Sequence, residues 1–68
     1  MQIEDRWTIV EPGLIQLATT KFRIRCDKDH HFRIEYDGAS RGIYGTLESA
    51  KHWCLELVKD LLLMGIKP

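Results

Sequence analysis

The sequence predicts an α+β fold in which a small antiparallel sheet of three to five strands packs on one C-terminal helix. Three observations carry that prediction. Two runs, 21–26 and 31–36, alternate strictly between apolar and polar residues across a short polar loop. A third run, about 46–63, repeats its apolar residues at helical spacing and contains no proline. Strand patterns come first and the helix last, an order that lays the helix across one face of the sheet.

The elements follow in chain order. Trp7-Thr8-Ile9-Val10 is rich in strand formers, and Glu11-Pro12-Gly13 reads as a turn with proline and glycine at its favoured central positions. A second strand is expected over 14–18, and Thr19-Thr20 connects it to the third. In that third strand Phe22, Ile24 and Cys26 share one face, with Lys21, Arg23 and Arg25 on the other. After the polar turn 27–30, Phe32, Ile34 and Tyr36 again point inward. Asp37-Gly38 is a strong hairpin signal and leads to a last short strand over 42–45, with Ile43 inward.

The helix begins at Thr46, whose hydroxyl suits an N-cap, with Glu48 adding negative charge to the first turn. Leu47, Ala50, Trp53, Cys54, Leu57, Val58, Leu61 and Met64 fall on one broad arc, and Gly65 is placed to end the helix. Trp53, Leu57 and Leu61 are expected to be largely buried against Phe22, Ile24, Phe32 and Ile34. Leu55 and Leu62 lie beyond the edge of that arc. Either the first strand or the Trp7 side chain covers them, or they form a contact surface for a protein partner or for self-association.

Sixty-eight residues make one domain, 1–68, with a thin core. Hydrophobic residues at 44% and charged residues at 29% exclude a disordered chain. The formal net charge is zero, which weighs against avid, unspecific binding to nucleic acid or an anionic membrane. The first residues show no basic-then-apolar leader, and no apolar run is long enough to span a bilayer. With only two cysteines, the expectation is reduced thiols in a cytoplasm rather than a disulfide framework.

Little in the chain suggests chemistry. Cys26, His30, His31, His52 and Cys54 are of the right types for zinc, but their spacing matches no compact finger, so no metal or other cofactor is expected. Cys54 falls on the core side of the helix, which denies it the exposure a nucleophile needs. There is no glycine-rich phosphate loop, and the carboxylates do not converge, so neither an enzyme nor a small-molecule substrate is indicated. The suggestive feature is basic. Segment 20–45 carries Lys21, Arg23, Arg25, Lys28, Arg33 and Arg41 against Asp27, Asp29, Glu35 and Asp37. Arg23, Arg25 and Arg33 project from the strands on one side, as in a sheet that enters a DNA groove, and Lys21 and Arg41 extend that set. A solvated antiparallel face is the plainer account of the same residues.

The junction Tyr44-Gly45-Thr46, followed by Leu47-Glu48-Ser49-Ala50-Lys51-His52-Trp53, resembles the amino-terminal arm-binding domains of tyrosine integrases. It is similar in the same way to the plant ethylene-response-type DNA-binding domain. The resemblance implies a sheet lying in the major groove of duplex DNA with the helix behind it. It assigns structural roles to Tyr44, Gly45, Thr46, Ala50 and Trp53, and places the sheet arginines on the DNA side. Here Glu35 interrupts that arginine face. The reading is thus a small non-catalytic binding domain for nucleic acid. The alternative is an adaptor, such as a phage or mobile-element accessory protein, that uses Leu55, Leu62 or an edge strand.

Overall fold

The computed structural model describes residues 6–68; the start of the chain, read above for a leader, lies outside them. Five strands are followed by one helix: β1 (Trp7–Glu11), β2 (Leu14–Leu17), β3 (Phe22–Cys26), β4 (Phe32–Tyr36), β5 (Ala39–Tyr44) and α1 (Leu47–Leu63). The strands form one antiparallel meander in chain order, and the helix lies over β3, β4 and β5. The predicted α+β architecture is the one observed.

Each connection has a local cause. Gly13 takes φ 82° after Pro12, the left-handed position that a tight turn of this kind demands. In the second loop the Thr20 hydroxyl donates to the Leu17 carbonyl at 2.7 Å and accepts from the Phe22 amide at 3.1 Å. Asp27 shapes the third by accepting the amides of Asp29 and His31 on Oδ1, at 2.9 and 3.0 Å. Asp37 and Gly38 both have positive φ, 51° and 86°, as the two-residue turn predicted from Asp-Gly requires. That turn hands the chain directly to β5 at Ala39, three residues earlier than expected from sequence.

Thr46 caps α1 as predicted, its hydroxyl accepting the Ser49 amide at 3.1 Å. At the other end Gly65 donates to the Leu62 carbonyl and Ile66 to that of Leu61, the two bonds of a glycine-terminated helix. The reversal sends the C-terminus back to the sheet, where the Pro68 carbonyl accepts the Lys21 amide at 2.8 Å. The Tyr36 hydroxyl donates to the Lys67 carbonyl nearby.

The core lies between helix and sheet. Leu17, Phe22, Ile24 and Ile34 meet Ala50, Cys54 and Val58, all essentially without solvent exposure. The helix presents its small residues, four apart, directly to the sheet. Leucines flank that row rather than forming it, so Leu57 and Leu61 are half-buried, not central. Trp53 is 48% exposed, contrary to the expectation of burial; it lies at the rim, stacked on Tyr44 with ring centres 6.5 Å apart. Ile43 also departs from prediction. Ile34 pairs with Gly42 but Glu35 with Ser40, so Arg41 is an extra residue in β5. Such a bulge changes which residues face the helix: Tyr44 lies opposite Phe32 on that side, while Ile43 points outward and is 53% exposed.

Candidate nucleic-acid interface

Strand register defines the face turned away from the helix. One row across it runs Thr8, Gln16, Arg23, Glu35 and Ser40, and the next Glu11, Leu14, Arg25, Arg33 and Ile43. Among the described residues no helix or strand lies over this face. Three of the predicted arginines are therefore brought together on it, and Lys21 joins them at the start of β3.

Their environments differ. Arg25 is committed: its Nε lies 3.3 Å from Glu35 Oε2, and its Nη1 3.8 Å from Glu11 Oε1. Glu11, Leu14 and Arg25 are successive neighbours in one row, so the longer of these bridges joins the strands on either side of Leu14. Leu14 between them is only 3% exposed, although it lies outside the main core. Arg33 lies directly opposite Arg25, a like-charge pairing that is unfavourable in itself. Its Nε is buried without a hydrogen-bond partner. Arg23 is exposed, and Lys21 too, with the Lys21 backbone pinned by the Pro68 carbonyl and the Asp37 amide.

Lys21, Arg23 and Arg25, together with Gln16, Glu35, Asp37 and Gly38, line an open depression of about 420 Å³. Its lining carries both signs of charge, which suits a polar ligand edge better than an apolar one. Arg41 does not belong to this site. The bulge turns it to the helix side, where its guanidinium sits 6.0 Å from the centre of the Tyr36 ring. There it lines a second, more apolar groove with Phe22, Tyr36, Leu57, Asp60, Leu61 and Met64.

The other residues singled out from sequence separate. Leu55 and Leu62 are half-buried and pack against the core. Cys54 is fully buried, and that burial pushes its thiol up from 9.0 to about 12. Cys26 is half-buried at the end of β3. His52 is exposed and sets its ring edge-on to Trp53, 5.1 Å away. A cluster that sequence reasoning passed over lies in the third loop, where donor atoms of Asp27, Asp29 and His31 come within 4.8 Å of one another. Asp27 serves the turn there: the His31 amide, ahead of the Asp29 amide and the charges of His31 and Arg33, holds its carboxyl below the usual range. The alternation 27, 29, 31 was the available signal for this grouping, since a tight loop brings such residues to one side.

No helix of the described residues is long and apolar enough to cross a membrane. No family model, no curated protein and no solved structure matches this chain.

Proposed function

We propose that this is a small, non-catalytic binding domain, acting in the cytoplasm, whose uncovered sheet face docks on duplex DNA. The observation that carries the reading is the convergence of Lys21, Arg23 and Arg25 on one open depression of the face opposite the helix. The resemblance of the Tyr44-Gly45-Thr46 junction to integrase arm-binding domains points to the same face. Charge accounting assigns unequal roles. Lys21 and Arg23 are the exposed cations available to phosphates, whereas Arg25 is already held by Glu35 and Glu11 and orients the surface. Arg33, with an unsatisfied buried Nε beside a second guanidinium, gains most from an incoming anion. Overall neutrality makes the attraction local, so binding should be modest and should weaken steeply with salt.

Fluorescence anisotropy with a short labelled duplex at two salt concentrations tests this. Lys21→Ala and Arg23→Ala should each lower the salt slope by about one if they contact phosphates, or weaken binding by about 1–3 kcal/mol if they reach base edges. Arg41→Ala should change nothing. A wild-type protein that fails to bind duplex at low salt ends this reading.

A further inference from the structure

The two edges of the sheet are unlike. β5 is interrupted in mid-strand by the extra residue Arg41 and by Gly42 at φ 143°, the kind of irregularity that discourages pairing. β1 is regular from Trp7 to Ile9 and its own extra residue, Val10, comes only near its end. Ile9 is 76% exposed and Val10 45%, and no charge or proline lies between Trp7 and Val10. Backbone phase completes the picture. The Ala18 amide donates to the Arg6 carbonyl at 2.7 Å, so Arg6, just before β1, and Thr8 within it are the residues in phase to bond toward β2. The N–H and C=O of Ile9, one residue out of phase, therefore point away from β2, to an edge that no strand of the described residues covers.

We propose that β1 pairs antiparallel with β1 of a second copy of this chain, joining two five-stranded sheets into one. The two-fold axis passes through Ile9. Each Ile9 then exchanges both backbone hydrogen bonds with its counterpart, and Thr8 lies opposite Val10 of the other copy. Residues directly opposite one another in an antiparallel sheet share a face, so this register keeps both helices on the same side. Both exposed apolar residues of the strand gain partners. A second copy satisfies all of these features at once, because a two-fold interface requires a surface complementary to itself. The inference does not depend on nucleic-acid binding and is tested without it.

Sedimentation equilibrium across micromolar to millimolar concentrations should show the mass rising from 8.0 kDa to twice that value. Ile9→Lys should remain monomeric over the same range with an unchanged circular dichroism spectrum, since its side chain is mostly solvated in the single chain. Leu63→Lys, a change at the most exposed leucine of the helix, should dimerise as the wild type does. Mild oxidation should cross-link Ile9→Cys into a dimer and leave Thr8→Cys largely uncross-linked. A wild type monomeric throughout, or a dimer dispersed by Leu63→Lys but not by Ile9→Lys, overturns the proposal. So does preferential cross-linking through Thr8→Cys.

Discussion

The two faces of this sheet are built from the same three central strands, yet they are held by different forces. On the helix side one row runs Ile9, Ile15, Ile24, Ile34 and Gly42, and its centre is sealed by Ala50, Cys54 and Val58. One residue along, the solvent face carries Arg23, Glu35, Arg25 and Arg33, charged groups of which only the Arg33 Nε is buried without a partner. Burial without polar partners stabilises the first face; weak, screened ion pairs shape the second. A domain this small can afford only one face of the first kind, which leaves the second available for binding.

The largest effect should come from the sealed face. Ile34→Ala removes a fully buried side chain at the centre of the sheet and should cost about 2–5 kcal/mol, enough to unfold much of the population. Arg23→Ala, on the adjacent strand but the other face, should stay within about 0.5 kcal/mol of wild type. Urea unfolding of the two variants measures the difference directly. Equal losses would mean that the faces are not separable as described.

Much of this division was legible in the residue pattern, and the failures have a common physical origin. Alternation in 21–26 and 31–36 correctly assigned Phe22, Ile24 and Ile34 inward and Arg23 and Arg25 outward, because period two is a property of each strand alone. Arg41 and Ile43 were misplaced because a bulge depends on how β5 pairs with β4, which no single strand encodes. Trp53 was misplaced because helical periodicity yields an arc but not its centre. Close approach to the sheet favours the small residues Ala50, Cys54 and Val58, and that moves the large ring to the rim. Leu14 was hidden for a related reason: its neighbours Glu11 and Arg25 belong to β1 and β3, and only strand pairing sets them on either side of it.

Alkaline pH should weaken the sealed face selectively. Cys54 is neutral in the fold, with its thiol raised to about 12, while in the unfolded chain it ionises near 9.0. The unfolded state therefore binds fewer protons between those values, and stability falls as pH rises through that window. Below pH 9 the contribution is fully present. Urea midpoints measured at pH 8 and pH 10.5 should show a drop that shrinks in Cys54→Ala. In the same buffers Cys54 should resist a thiol reagent until denaturant is added, with Cys26 reacting sooner. A Cys54 that reacts as fast as Cys26 in the native protein would contradict this account.

Gly42 marks where the two faces exchange residues along β5. A side chain there would meet the Tyr44 ring at 3.0–3.1 Å, and its φ of 143° disfavours any L-residue. Gly42→Ala should therefore lower stability by about 1–3 kcal/mol. The Tyr44 ring would have to move, disturbing its stack on Trp53, so tryptophan fluorescence should shift in the folded variant. An unchanged spectrum with unchanged stability would show that β5 accommodates the methyl group by relaxing its bulge.

The smallest effect is expected at Arg25, and it distinguishes shape from energy on the solvent face. Its bridges to Glu35 and Glu11 are partly exposed, so Arg25→Ala should cost only about 0.2–1 kcal/mol, a loss that salt reduces further. The stem of Arg25 also lies beside Leu14, and truncation should leave that leucine wetter than charge loss alone would. Arg25→Gln keeps most of the stem and removes the charge. If cover of Leu14 matters, Arg25→Gln should be more stable than Arg25→Ala in high salt, where the ion pairs are screened in both comparisons. If the two variants are equally stable there, Leu14 does not depend on Arg25 for its burial. Glu11→Gln then completes the comparison: it breaks the longer bridge without shortening Arg25, and should fall within about 0.5 kcal/mol of wild type.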